Sequence, residues 1–111
     1  MPDLCTIETR QADRCTVARL IGEVDASNAA SIDQELRALA AVARSILVVD
    51  LNQLEYIDSA GIAALERLAS DTKCRIVIGD DATTFQTLRI VRFNAGRALY
   101  ASQQEALDSP A

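Results

Sequence analysis

A serine between an acidic residue and two small ones is the chain's clearest candidate for chemistry. Asp58, Ser59, Ala60 and Gly61 follow an apolar run over residues 46–51, and a helical pattern starts near the serine. The first backbone amides of a helix have no partner within that helix. A hydroxyl at this place can cap the helix, act as a nucleophile or accept a phosphoryl group, and each role belongs to a different class of protein.

The composition restricts what that hydroxyl can do. The chain contains no histidine, which excludes Ser–His and Cys–His nucleophile pairs and histidine-based metal sites within it. The serine also lacks the two flanking glycines of a nucleophile elbow, and no lysine follows Gly61 as in a phosphate-binding loop. We therefore expect a protein that is not an enzyme, with no cofactor and no metal.

The charge and hydropathy patterns indicate which kinds of partner the protein binds and where in the cell we expect it. The formal net charge is −5, with one lysine and scattered arginines, so no basic patch for nucleic acid is expected. The first ten residues lack the apolar segment of a signal peptide. The apolar run at 46–49 is too short to cross a bilayer. These features predict a cytoplasmic protein without membrane insertion.

The three cysteines predict no disulfide framework. Cys5, Cys15 and Cys74 are widely spaced and form no CxxC pair, and an odd number cannot all be paired within one chain. Their positions in or beside strand-like segments indicate small buried hydrophobic side chains.

The elements that must position the serine follow from the spacing of apolar residues. Positions three and four apart indicate helices, and a nearly continuous β-branched run at 46–51 is typical of a buried parallel strand. Residues 52–57 are predicted to form a short connection, and Gly22 is predicted to end a strand. The predicted elements are strands 4–10 and 15–21, helix 28–44, strand 46–51, helix 59–72, strand 75–79, helix 82–92, a brief strand 98–100 and a helix from 102 through 107.

This order predicts one α/β domain, a β-hairpin followed by alternating helices and strands. Right-handed crossovers would place the helices mainly on one face of a mixed sheet. We expect a single domain over residues 1–111 with an ordered core over 3–108. The helices show no extra apolar seam, which favours a monomer.

Four short sequence motifs, placed along the predicted elements as in the STAS domain, give the chain a resemblance to that family. That fold is shared by bacterial anti-sigma-factor antagonists and the cytosolic tails of sulfate transporters. The motifs are Gly-Glu-Val-Asp at 22–25, Val-Asp-Leu at 49–51, Tyr-Ile-Asp-Ser-Ala-Gly-Ile at 56–62 and Tyr-Ala-Ser-Gln-Gln-Glu-Ala-Leu at 100–107. The chain lacks the long insertions of the transporter tails, so the free-standing antagonist is the closer match.

The resemblance implies a phosphorylation switch. The unphosphorylated antagonist would bind an anti-sigma factor that is a serine kinase and so free a sigma factor. Phosphorylation of Ser59 would break that complex, and a metal-dependent phosphatase would restore it. Asp25, Asp58, Ala60 and Gly61 would form the loops that contact the partner. Ala60 stands where many relatives carry a second hydroxyl, which leaves Ser59 as the acceptor within the motif.

Simpler interpretations stand beside this one. Ser59 can be a plain N-cap of the following helix, Asp58 a turn former and Tyr56 a packing residue. The alternative function is an interaction module without phosphorylation, docking on a transporter ATPase or a sensor complex.

Overall fold

A computed structural model describes residues 4–42, 46–79 and 99–110. In this part of the chain the elements are β1 (Cys5–Ala12), β2 (Cys15–Val24), α1 (Ala29–Val42), β3 (Ile46–Ile57), α2 (Ser59–Asp71), β4 (Cys74–Val77), β5 (Leu99–Tyr100) and α3 (Gln103–Asp108). Their order confirms the predicted hairpin and the alternation that follows it. The helix predicted over 82–92 lies outside the described residues.

The strands form one mixed sheet in the order β1-β2-β3-β4-β5. β1 and β2 are antiparallel, and the other neighbours are parallel. The hairpin turn consists of Asp13 and Arg14, shorter than the predicted 11–14, because Ala12 already pairs with Cys15. Asp13 has a φ of 53°, a left-handed conformation that aspartate adopts more readily than most residues.

The helices lie mainly on one face, as predicted. α1 and α2 pack on it through Leu36 and Leu68, against a cluster that includes Leu47 and Val49 of β3. α3 lies on the opposite face, where Ala106 packs against Val48 and its neighbours. Successive strand residues point to opposite faces, so both faces of β3 are covered. This double burial explains the nearly continuous apolar run at 46–51.

β3 is longer than its sequence indicates, and the predicted connection over 52–57 is wrong. Two register shifts against β2 interrupt the pairing, after Arg19 and after Gly22. Each shift gives β3 one extra residue, as in a β-bulge, and a bulge breaks the alternation that marks a strand. Leu54 and Ile57 are nevertheless buried, at 2% and 1% exposure, because the strand continues through both irregularities.

Gly22 lies within β2 and does not end it, contrary to the prediction. Its φ is +117°, and a Cβ built there would lie 2.2 Å from the carbonyl oxygen of Leu4. Only glycine tolerates this backbone at low cost. The strand therefore continues to Val24 and delivers the following loop to the edge of the sheet.

A buried arginine fastens α3 to the sheet. The guanidinium of Arg75 donates hydrogen bonds to the carbonyl oxygens of Ala106, of Ser109 at 3.0 Å and of Pro110 at 2.8 Å. It also lies 5.6 Å from the ring centre of Tyr100. Ser102 caps α3, accepting from the amide of Glu105 at 3.2 Å.

All three cysteines are buried and free, which confirms the prediction. Burial raises the pKa of the Cys5 and Cys74 thiols above their ordinary value. No helix among the described residues is long and apolar enough to cross a membrane.

Candidate functional site

Two loops meet at one edge of the sheet, where β2 and β3 end together. Val24 pairs with Ile57, and the amide of Asp58 donates to the carbonyl oxygen of Val24 at 3.1 Å. The carboxyl ends of parallel strands commonly carry the functional loops of α/β proteins. Here they bring the β2–α1 loop, residues 25–28, beside the β3–α2 loop at Asp58.

Asp58 is the N-cap of α2. Its Oδ1 accepts a hydrogen bond from the amide of Gly61 at 3.0 Å, and its backbone is extended, with φ −103° and ψ −174°. Its other oxygen, Oδ2, accepts from the amide of Ala26 at 3.0 Å. The same carboxylate therefore caps the helix and reaches across to the neighbouring loop.

Ser59 is the first residue of α2, and its side chain is exposed. The alternative that it serves as the N-cap is wrong, since Asp58 fills that position. Within the described part of the chain, no group forms a hydrogen bond with the Ser59 hydroxyl. The hydroxyl therefore faces solvent at the positive end of the helix dipole, and the cap of α2 does not depend on it.

The β2–α1 loop is folded by its own side chains. Asp25 Oδ1 accepts from the amide of Ser27 at 2.8 Å and from its hydroxyl at 2.5 Å. The Ser27 hydroxyl and then its amide hold the pKa of Asp25 below its ordinary value. Asn28 Oδ1 accepts from the Asp25 amide at 2.8 Å, and its side-chain nitrogen donates to Glu23 O at 2.9 Å. The Asp25 carbonyl accepts from Ala29, where α1 begins.

Gly61 lets α2 approach the strand ends. A Cβ at this position would lie 2.7 Å from Ile57 Cγ1 and 2.9 Å from Val24 Cγ1, closer than side-chain atoms pack. Gly61 is buried, and Ala60 is partly buried against the core. Of the residues predicted for the partner-contact loops, Asp25, Asp58 and Ala60 are therefore partly exposed and Gly61 is not, whereas the predicted acceptor Ser59 is exposed.

Tyr56 is exposed to 49%, so the prediction that it is a packing residue is wrong. It pairs with Glu23 just after the second register shift of β3, and Glu55 beside it is exposed as well. The bulge turns both side chains outward. Only Gly22 marks that irregularity in the sequence, and a glycine alone does not locate a bulge.

The loops carry negative charge. Glu23, Asp25, Glu55 and Asp58 lie in or beside them, whereas residues 20–36 and 45–66 contain no lysine or arginine. Among the residues that the structure describes, no group of acidic and cysteine side chains is arranged to hold a metal ion.

The site thus consists of a capped helix that begins at an exposed serine, beside the ends of two parallel strands of a mixed sheet. Residues 6–106 match the family model of the STAS domain, and the chain belongs to that family.

Solved structures share the fold. The chain is 25% identical to an anti-sigma factor antagonist from Mycobacterium paratuberculosis, with a TM-score of 0.79 over 96% of this chain and 94% of that one. It is 18% identical to the anti-sigma factor antagonist SpoIIAA in its unphosphorylated form, with a TM-score of 0.63 over 93% and 94%. The Bacillus cell fate determinant SpoIIAA in its phosphorylated form is 17% identical, with a TM-score of 0.60 over 93% and 97%.

Proposed function

We propose that this protein is an anti-sigma-factor antagonist switched by phosphorylation of Ser59. In its unphosphorylated form it binds an anti-sigma factor that is a serine kinase, and so frees a sigma factor. Phosphorylation ends the complex, and a metal-dependent phosphatase restores the binding form. The protein acts in the cytoplasm as a monomeric binding partner and catalyses no reaction itself.

One observation carries this proposal: Asp58 caps α2, and Ser59 beside it is exposed. The Asp58 carboxylate caps α2, so the exposed hydroxyl of Ser59 is not needed for the helix. A kinase can therefore modify this hydroxyl without removing the cap. In the transfer, Ser59 Oγ bonds to the γ-phosphorus of ATP, the bond to the β-phosphate oxygen breaks, and ADP leaves. The kinase takes the hydroxyl proton, since both oxygens of the neighbouring Asp58 carboxylate already accept hydrogen bonds from backbone amides.

The comparisons support the same assignment. The structure from Mycobacterium paratuberculosis is that of an anti-sigma factor antagonist and covers nearly the whole chain. The structures of SpoIIAA include an unphosphorylated and a phosphorylated form, and both share the fold of this chain. A switch that alters the surface while keeping the fold is compatible with both.

The physical effect of the phosphate falls on the partner's side of the interface. A phosphoserine adds about −1.5 to −2 charges, and the start of α2 tolerates a negative charge because of the helix dipole. The partner surface, fitted to a neutral hydroxyl beside Asp25 and Asp58, would meet a bulky dianion instead. Unfavourable charges at an interface cost several kcal/mol, and about 1.4 kcal/mol is a tenfold change in affinity.

Phosphate mapping tests the proposal. The purified protein is incubated with Mg-ATP and each kinase-type anti-sigma factor encoded in its own genome, and the product is mapped by mass spectrometry. We expect one phosphate, at Ser59, and none in Ser59→Ala. Ser70→Ala, which removes an exposed hydroxyl near the other end of α2, serves as the matched control and should be labelled like the wild type.

Two results would overturn the switch. Undiminished labelling of Ser59→Ala would place the acceptor elsewhere. Binding of such a partner without any labelling of the wild type would favour the docking module that works without phosphorylation.

A further inference from the structure

Asp58 joins the two loops of the site through a single carboxylate. Oδ1 accepts from the Gly61 amide and Oδ2 from the Ala26 amide, both at 3.0 Å. The two donors belong to different segments, one to the first turn of α2 and the other to the β2–α1 loop. Both oxygens are thereby engaged by the protein's own backbone.

The other side-chain hydrogen bonds of the β2–α1 loop stay within its own segment. Ser27 donates to Asp25, and Asn28 links the Asp25 amide to the Glu23 carbonyl. These bonds shape the loop but do not fix where it lies relative to α2. In the described part of the chain, the Asp58–Ala26 bond is the side-chain hydrogen bond that connects this loop to the β3–α2 loop.

We propose that Asp58 is a positioning residue, which locks the β2–α1 loop beside Ser59 so that a partner meets Asp25 and Ser59 as one preformed surface. This inference rests on the proposed function, since it concerns the surface that binds the anti-sigma factor. It changes the expected role of Asp58. The carboxylate acts through the loop it holds, and its contribution to binding comes from order within the antagonist.

The Asp58–Ala26 hydrogen bond should raise the affinity because it orders the β2–α1 loop in the free protein. A loop that is already ordered loses less conformational entropy on binding. The Ala26 amide is exposed to solvent, so without the carboxylate it would bond to water and the loop would lose its anchor to α2. Binding should then weaken although Asp25 and Ser59 are unchanged.

Substitutions at Asp58 separate the lock from the helix cap. Serine is a good N-cap residue, so Asp58→Ser keeps an acceptor for the Gly61 amide. The serine side chain has a single oxygen and is shorter, so the Ala26 amide loses its acceptor. Asp58→Asn is isosteric and caps through its oxygen, but it presents an NH2 donor to the Ala26 amide. Ser102→Ala removes the cap of α3, on the opposite face of the sheet, and serves as a control for a lost cap away from the site.

The first measurement needs no partner. Amide hydrogen exchange, followed by NMR, should show Ala26 exchanging about tenfold faster or more in Asp58→Ser and Asp58→Asn, as expected for a lost hydrogen bond to a charged group. The Gly61 amide should keep most of its protection in both variants. Unchanged exchange at Ala26 would overturn the lock itself.

The second measurement is the affinity of the unphosphorylated variants for the anti-sigma factor that binds the wild type. We expect about tenfold weaker binding for both Asp58 variants, in step with the faster exchange at Ala26, and wild-type affinity for Ser102→Ala. Faster exchange with unchanged affinity would overturn the positioning role. Because this affinity does not depend on a phosphate, a failure of the Ser59 switch would show in the mapping experiment and not here.

Discussion

Asp58 Oδ1 lies 3.0 Å from the amide nitrogen of Gly61, so the cap of α2 is a carboxylate and not the neighbouring hydroxyl of Ser59. The helix start therefore has one residue that maintains the structure and another that is exposed and uncommitted. The proposed function thus assigns stability and signalling to adjacent side chains.

This division predicts different costs for two adjacent substitutions. Asp58→Ala should lower the free energy of unfolding by about 1–2 kcal/mol, since it deletes an N-cap and the bond to Ala26. Ser59→Ala should change it by less than about 0.5 kcal/mol, as for an exposed residue without a structural contact. Urea unfolding checks both, and an equal loss in the two variants would contradict the division.

A methyl group at Gly61 should destabilise the protein although it favours a helix. Alanine is better than glycine in a helix interior by about 1 kcal/mol. In Gly61→Ala, however, the new Cβ would lie 2.7 Å from Ile57 Cγ1 and 2.9 Å from Val24 Cγ1. Overpacking of this kind costs about 1–3 kcal/mol, so we expect a net loss in urea unfolding. A more stable Gly61→Ala variant would show that the strand ends yield easily.

The start of α2 illustrates how much of the site the sequence predicts. The helical spacing that follows the predicted connection places the helix start near Ser59, and the motif around it singles out the serine. The choice between Asp58 and Ser59 as the cap depends on backbone dihedral angles one residue apart, and both residue types are good caps. The bond from Asp58 to Ala26 joins residues far apart in the chain, and no local pattern reveals it.

The same contrast holds for the fold. The hairpin, the helices and the buried strand follow from hydrophobic spacing. The second half of β3 does not, because two bulges shift its register against β2 and disturb the alternation that a strand normally shows. The position of Tyr56, two residues before the turn, predicts a packing residue, but its side chain is half exposed beside the bulge.

Removal of the Arg75 side chain should loosen the C-terminal helix. Arg75→Met leaves the carbonyl oxygens of Ala106, Ser109 and Pro110 without their donor. Charged hydrogen bonds contribute about 1.5–3 kcal/mol each, and since such losses overlap we expect a total near 2–4 kcal/mol. Denaturant unfolding should show this loss of stability. Relative to the wild type, amide hydrogen exchange should become faster in α3 by more than it does in α2. Arg67→Met, at an exposed site on α2, is the control, and an equal loss there would refute the account.

The Asp25 loop predicts a titration effect. The Ser27 hydroxyl, and then its amide, stabilise the ionised carboxylate and lower the pKa of Asp25 in the folded state. A folded-state pKa below the unfolded value gives a contribution to stability that is present above the unfolded pKa and is lost as the pH falls through the folded value.

Ser27→Ala should therefore raise the pKa of Asp25 towards its ordinary value, as followed by NMR of the side-chain carboxyl carbon. The control is Ser31→Ala, at an exposed serine of α1, which should leave the titration unchanged. Identical Asp25 titrations in the wild type and in Ser27→Ala would show that this hydrogen bond does not form in solution.

The most direct test of the switch compares the affinity of the anti-sigma factor for the protein before and after phosphorylation at Ser59. Calorimetry with the two forms, and with Ser59→Asp, should show binding weakened at least about tenfold by the phosphate and partly by the aspartate. Ser59→Ala should bind like the wild type. Ser70→Asp, the same charge change near the other end of α2, should also bind normally. Equal affinity of the phosphorylated and unphosphorylated forms would contradict the account.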